Sequence, residues 1–365
     1  MYSTPRITIK KLAQEIGLSV CTINKALNNK PRISPETREL VIKSAEKFGY
    51  RPNTLAKALA RPTLSIGFVY PDVWPSHTGL LIRGARESLE RLHDHRVNSL
   101  LRPLPAGDEK SFLSSIKDLA ESKVSGLILC LFDYSQKCLD EAWRILNEAE
   151  IPFVLLGSDI PGGPQLCSVW HDCRRCGKMA AETLGWMVPD RSVAVFIGRK
   201  GVLDHDLKVE GFQNWLSQSR IKLAGIGETH DDPAKGYPVA REVFEKHVFD
   251  KHPDISGIYI GTENASGICR YLVESGLAGK VKVVATGVSE DVLQALRMGV
   301  IHCSINQNQP LQGRQAARIL YDYLELGRMP KSSEILIAPE LILRSTMDIH
   351  NPDALFRNGD NILSQ

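Results

Sequence analysis

Beyond residue 63 the chain alternates short apolar runs with longer amphipathic stretches. That alternation constrains its fold more than any other feature. The runs are LSIGFVY (64–70), NSLLRPL (98–104), GLILCLF (126–132), PFVLLG (152–157), SVAVFIG (192–198), GIYIG (257–261), VKVVATG (281–287) and IHCSI (301–305). Between and after them lie stretches of helical period, near 77–93, 109–122, 138–149, 173–187, 207–219, 234–247, 265–276, 289–298 and 311–325. Strands that stay apolar without alternating are buried on both faces, as in a parallel sheet covered by helices. There are too many for one sheet of ordinary width, so two α/β lobes are expected. Ligands in such folds bind at the carboxyl ends of strands, and the cleft between lobes is the natural pocket.

The stretch Ile7–Ala60 follows a different pattern. Ile9, Leu12, Ala13 and Ile16 fall on one face of a short helix that Thr8 can cap. Gly17 suits a left-handed stop, and Ser19 caps a second helix, VCTINKALN. Helix, glycine turn and helix make the layout whose second helix enters the DNA major groove. Ser34 and Pro35 then open a third helix, with Leu40, Val41, Ser44, Ala45 and Phe48 inward and Gly49 as its stop. After Arg51-Pro52, NTLAKALA has barely two turns of pattern; it reads either as a conditionally folded link or as an ordinary linker.

Charge divides the chain at the same place. Residues 1–62 hold 12 Lys/Arg against 4 Asp/Glu, a net of +8, whereas the remainder holds 33 against 38, a net of −5. A basic head on an acidic body fits nucleic-acid binding. Arg6, Lys10 and Lys11 interrupt any signal-peptide pattern, and no run is long enough to span a membrane. Cys21, Cys130, Cys138, Cys167, Cys173, Cys176, Cys269 and Cys303 are scattered, several of them inside apolar runs, as buried reduced thiols are. A cytoplasmic protein is expected.

Chemistry-bearing motifs are few. Cys173-Arg-Arg-Cys176 is a single CxxC with no second pair, and Asp204-His205-Asp206 lacks further ligand spacing, so neither predicts a metal site. There is no nucleophile elbow, phosphate loop or HExxH, and no cofactor or enzymatic activity is expected.

The order of these parts resembles the LacI/GalR family of bacterial transcription regulators. In the head the resemblance rests on LAQEIGLSVCTINKALN and on ISPETRELVIKSAEKFGYRPNTLAKALA. In the body it rests on LKVEGF, ISGIYIGTENASG, VKVVATG and LRMGVIHCSINQNQPLQGRQAARIL. It implies a helix-turn-helix head (1–51), a hinge helix (52–62), a two-lobed body similar to periplasmic binding proteins (63–348) and a tail (349–365). The lobes would comprise about 63–160 with 299–325, and 161–298 with 326–348. The chain would cross between them near 159–164, 289–299 and 326–330.

The resemblance also implies roles for residues. Val20, Cys21 and Lys25 would face base edges. Thr22, Asn24, Asn28 and Ser34 suit phosphate contacts. In the hinge, Leu59 matches the family's minor-groove wedge, with Asn53, Ala56 and Lys57 along the groove. Asp172, Lys208, Asn264 and Gln307 fall on effector-motif positions, and strand-end logic adds Asp72, Trp74, His77, Phe132 and Asp206. Gly287 stands where many members carry a sugar-clamping Asp, and Lys208 where they carry Arg. The effector therefore stays open among sugars, phosphorylated sugars, sugar acids, nucleobases or nucleosides, and none.

The expected protein is a homodimeric regulator, a repressor by resemblance. It would bind a palindromic double-stranded operator under control of a small-molecule effector, with no membrane partner. A solute-binding protein without a DNA role is the alternative.

Overall fold

The computed structural model describes residues 7–27, 33–48, 50, 63–73, 75–92, 96–232, 234–245, 255–262 and 265–350. The head and the body form separate compact units.

The head contains α1 (Ile9–Ile16), α2 (Val20–Leu27) and α3 (Pro35–Lys47). Thr8 Oγ1 accepts from the Lys11 amide, Ser19 Oγ from that of Thr22 and Ser34 Oγ from that of Thr37, so all three helices begin on hydroxyl caps. Gly17, at φ 68°, closes α1 in the left-handed conformation that favours glycine. Leu12, Ile23, Ala26, Val41 and Ala45 are buried together, ringed by Ile9, Ile16, Leu18, Val20 and Ile33. The inward face expected for α3 is narrower than its apolar residues suggested. Val41, Ser44 and Ala45 are buried, but Leu40 is 51% and Phe48 37% exposed. At 100° per residue, Leu40 lies off the stripe centred on 41, 44 and 45. Gly49 and the hinge lie outside the described residues.

In the body, the first sheet contains β1 (Leu64–Pro71), β2 (Val97–Leu104), β3 (Gly126–Leu129), β4 (Phe153–Leu156), β5 (Cys167–His171) and β11 (Glu334–Ile337). Its order is β11-β5-β4-β3-β1-β2, and every pairing is parallel. The second sheet contains β6 (Ser192–Ile197), β7 (Lys222–Glu228), β8 (Ile255–Ile260), β9 (Lys282–Thr286), β10 (Cys303–Asn306) and β12 (Glu340–Leu343). Its order is β12-β10-β9-β8-β6-β7, parallel except for the β10–β12 edge. The two lobes thus repeat one doubly wound order, in which the chain changes direction beside the first strand.

The connecting helices are α4 (Leu80–Glu90, after a π turn at Pro75–Gly79), α5 (Glu109–Glu121), α6 (Gln136–Glu148), α7 (Cys173–Met187), α8 (Leu203–Leu216), α9 (Gly236–Glu245), α10 (Ala265–Glu274), α11 (Glu290–Arg297) and α12 (Gln309–Leu326). They cover both faces of each sheet. Phe112, Ile116 and Leu119 of α5, for instance, are fully buried against Leu127 and Leu129 of β3. Each such side chain contributes roughly 1.5–3 kcal/mol of burial. Among the described residues no helix is long and apolar enough to cross a membrane.

The strand order relocates the crossings between lobes. They fall between β5 and α7, between β10 and α12, and between β11 and β12, not near 159–164, 289–299 and 326–330. The turn around Pro161–Pro164 returns the chain to pair β5 with β4 in the same sheet. Likewise β10 belongs to the second sheet, and only the α12 that follows it packs on the first, against Ile128 and Val169.

Candidate functional site

In the head, Cys21 and Lys25 are exposed on α2, whereas Val20 is half-buried against the head core. Thr22 Oγ1 lies 2.8 Å from Ser19 Oγ, so its hydroxyl sits at the start of α2, and the Ser34 hydroxyl sits likewise at the start of α3. Both positions belong to helix N-termini, where amides and the helix dipole favour a phosphate. The side chain of Asn24 and residues Asn28, Asn53, Ala56, Lys57 and Leu59 lie outside the described residues.

The body holds a cleft of about 300 Å³ between the lobes. From the first lobe it takes Pro71 at the end of β1, Cys130–Phe132 after β3, Leu156–Asp159 after β4, and Trp170 of β5. From the second it takes Val202–His205 and Lys208 at the start of α8, Asp231 after β7, and Gly261–Thr262 after β8. These are the carboxyl ends of strands, as the doubly wound order requires. Its walls are largely apolar (Leu81, Leu131, Phe132, Leu156, Val202, Leu203), with polar groups where the lobes meet.

Two helices build that polar floor. Gly177 on α7 and Gly211 on α8 let the two backbones touch: a Cβ on Gly177 would collide with the Lys208 carbonyl, and one on Gly211 with the Arg174 carbonyl. The close crossing brings the first turn of α8 beside the end of β5 and the start of α7. Asp204 Oδ1 then lies 3.1 Å from His171 Nε2 and accepts from the Cys173 thiol at 3.0 Å. Its other oxygen, Oδ2, accepts from Lys208 Nζ at 2.9 Å, and Nζ also donates to the Gly261 carbonyl at 3.2 Å.

A ladder of amides continues the network into the first lobe. Gln307 Nε2 lies 2.9 Å from His171 Nε2, Gln309 Nε2 donates to Gln307 Oε1, and the same Gln309 nitrogen lies 3.2 Å from His77 Nδ1. Gln312 fastens the crossing by donating to the Gln307 carbonyl at 2.7 Å.

The charges are set by neighbours. Burial alone would raise the Asp204 carboxyl, but Lys208 and His171 outweigh it and hold it well below the usual carboxylate range. Burial disfavours the Lys208 ammonium, yet Asp204 reverses this and raises it above the ordinary lysine value. Burial, opposed by Asp204, lowers His171 below the ordinary histidine value, and burial pushes the Cys173 thiol well up. Cys176 is likewise raised, to about 12, by burial. These thiols are not activated nucleophiles.

Of the expected effector residues, His77, Phe132, Lys208 and Gln307 line the cleft. Three do not. Asp72 is exposed and borders a separate hollow with Tyr70, Arg83 and Arg86. Asp172 caps α7, accepting from the Arg175 amide and guanidinium. Asp206 folds back onto the Gly201 amide. Of the two carboxylates in the first turn of α8, Asp204 reaches the cleft and shares a helix face with Lys208 at i, i+4, while Asp206 points roughly the opposite way. Trp74 and Asn264 lie outside the described residues. His171, Cys173 and Asp204 were missed as a group because they come from three elements that only the helix crossing brings together.

Comparison with known proteins decides the family. Residues 8–53 match the family model of the bacterial regulatory proteins of the lacI family, and residues 66–329 match the periplasmic binding protein domain. The chain belongs to the lacI family of transcriptional regulators.

Curated relatives of this lacI-family regulator include catabolite control protein A of Priestia megaterium, 25% identical over 274 residues that cover 74% of this chain and 79% of that one. The HTH-type regulator RafR of Escherichia coli is 28% identical over 95% of this chain and 99% of its own. Among solved structures, a periplasmic ribose ABC transporter protein from Conexibacter woesei superposes with a TM-score of 0.71 at 21% identity, covering 83% of this chain and 99% of that one. A solute-binding protein from Burkholderia graminis in complex with D-arabinose gives 0.69 at 19% identity, covering 79% of this chain and 98% of that one. The lacI-family chain is thus a DNA-binding regulator with a solute-binding fold as its body.

Proposed function

We propose that this regulator is a repressor that binds an inverted-repeat operator as a homodimer in the cytoplasm and releases or grips it according to a small polar metabolite held between its lobes. The cleft carries this reading, because its floor is a hydrogen-bonded chain running from His77 through Gln309, Gln307, His171 and Asp204 to Lys208. A ligand that engages this chain touches both lobes and one of the crossings between them. It would therefore bind one lobe angle better than another, which is the condition for shifting a conformational equilibrium.

A sugar or sugar derivative is the proposed effector class. In support, fold neighbours are sugar-binding proteins, including one in complex with D-arabinose and one with bound myo-inositol. The clamp would differ from the Arg-based one of the family resemblance, since Lys208 already gives donors to Asp204 and Gly261. The apolar walls would cover the ligand's carbon faces, and Asp159, Asp231 and Gln307 would take its hydroxyls.

At the DNA, Lys25 and Cys21 would read base edges, Thr22 and Ser34 would hold phosphates, and Leu59 would wedge the operator centre. Two heads on one dimer would gain by linkage what one small head lacks. The regulators among its relatives support a binding protein with no catalytic role.

A thermal-shift screen of sugars, sugar acids, sugar phosphates and nucleosides, followed by a gel shift on the protein's own upstream DNA, tests the proposal. A hit that stabilises the body and changes operator affinity supports it. Turnover of the hit, or retention of no DNA, contradicts it.

A further inference from the structure

The geometry points to a divalent transition-metal site of the zinc class at the floor of the cleft, formed by His171 Nε2, Cys173 Sγ and Asp204 Oδ1. The site does not depend on the effector's identity. The three atoms form a triangle with sides of 3.1 Å (His171–Asp204), 3.4 Å (Cys173–His171) and 3.0 Å (Cys173–Asp204). At zinc's usual bond lengths to sulfur, imidazole and carboxylate, a tetrahedral ion holds its ligand atoms about 3.3–3.6 Å apart. The triangle needs to open by only a few tenths of an ångström. A nitrogen, a thiolate and a carboxylate oxygen are also the donor set that zinc and cobalt prefer over calcium or magnesium.

Two further observations fit an ion better than protons alone. His171 Nε2 lies beside both Asp204 Oδ1 and Cys173 Sγ, whereas a neutral ring nitrogen offers one proton or one lone pair; the Gln307 amide, which also points at Nε2, would give up that acceptor to the ion. Among the described residues its Nδ1 has no hydrogen-bond partner, so the polar contacts of this buried ring are made at Nε2, the nitrogen that forms one corner of the triangle. Asp204 is also prepared as a monodentate ligand. Lys208 occupies Oδ2 and leaves Oδ1 toward His171 and Cys173, as an outer-shell partner orients a ligand carboxylate. Sequence spacing obscured the site because Cys173 pairs with His171 and Asp204 and not with Cys176 of its own CxxC.

Binding would release the Cys173 proton to solvent and keep the His171 proton on Nδ1. With the metal, two anionic ligands and Lys208, the cluster carries one net positive charge, against none without metal. Of the three ligands, Asp204 lines the cleft while His171 and Cys173 are buried behind it, so a fourth position open to a small molecule would be reached past Asp204. An anionic or hydroxyl oxygen fits it best, and three protein ligands with one open position is the pattern of an exchangeable zinc site.

The test is Co²⁺ titration of the chelator-treated full-length chain, followed by absorption spectroscopy. One equivalent of cobalt should produce a thiolate-to-cobalt charge-transfer band, and Zn²⁺ should abolish it. Cys173→Ser should lose the band, and Cys176→Ser should keep it. No band in the parent chain, or a band lost in Cys176→Ser, overturns the proposal. X-ray absorption of the zinc-loaded parent chain gives an answer that needs no variant. One sulfur among nitrogen and oxygen ligands supports the site, and two sulfurs or none contradicts it.

Discussion

Lys208 and Asp204 stand one turn apart on α8, joined Nζ to Oδ2 at 2.9 Å with the lysine only 2% exposed. A lysine so deeply buried is tolerable only because this carboxylate and the Gly261 carbonyl replace its water. Removing one partner leaves the other charge stranded. Asp204→Ala should therefore destabilise the body by about 3–5 kcal/mol, read from urea unfolding. The double variant Asp204→Leu/Lys208→Met, which removes both charges, should recover most of that loss. Equal losses in the single and double variants would show that packing, not the ion pair, sets the cost.

The crossing of α7 and α8 rests on the absence of a side chain. Gly211→Ala places a methyl group against the Arg174 carbonyl, and neither backbone can yield without moving Cys173 away from Asp204. The expected cost is about 1–3 kcal/mol of overpacking. Gln213→Ala, on an exposed position of the same helix, should change stability by less than about 0.5 kcal/mol. Urea midpoints of the two variants check this directly.

The βα alternation was legible because buried parallel strands are continuous apolar runs, and every run expected as a strand overlaps one. Strands β5, β7, β11 and β12 were not legible. Lys222–Glu228 carries two glycines and sits at a sheet edge, the strand at Cys167–His171 opens on Cys and Ser, and the last two strands are four residues each around Pro339. Those omissions displaced the expected crossings. The cleft was half legible for a related reason. Lys208 and Gln307 sit in motifs, but the choice of Asp206 over Asp204 depended on where α8 begins, and it begins at Leu203, four residues earlier than its pattern suggested.

His302 should make the second lobe acid-sensitive. Burial, then the charge of Lys282, lowers its pKa, and both ring nitrogens face donors: the Val283 amide at 3.2 Å and Lys282 Nζ at 3.2 Å. The folded protein keeps this ring neutral while the unfolded chain takes up a proton near pH 6.5. Stability is therefore full above about pH 6.5 and falls as the pH drops toward the lowered folded value, by at most about 1.4 kcal/mol per pH unit for this proton. Urea unfolding between pH 7.5 and 5.5 should show a shallower fall in Lys282→Met than in the parent chain. Parallel profiles would contradict the assignment.

Lys25 is exposed on α2, at the position the family resemblance assigns to a base edge. Lys25→Ala should cost about 1–3 kcal/mol on the operator and relax preference at one position of each half-site. Anisotropy titrations against operator variants measure both. A uniform loss on all sequences, with a shallower salt dependence, would make Lys25 a phosphate contact.

The most direct measurement of control through the cleft is operator affinity with and without a saturating cleft ligand, in the parent chain and in Phe132→Ala. Phe132 forms a wall of the cleft. In the parent chain the ligand should change operator affinity by roughly 5–150-fold, a coupling of about 1–3 kcal/mol. Phe132→Ala should bind the operator as tightly as the parent chain and lose that response at the same ligand concentration. A ligand shown to occupy the cleft that leaves operator affinity unchanged would contradict the account.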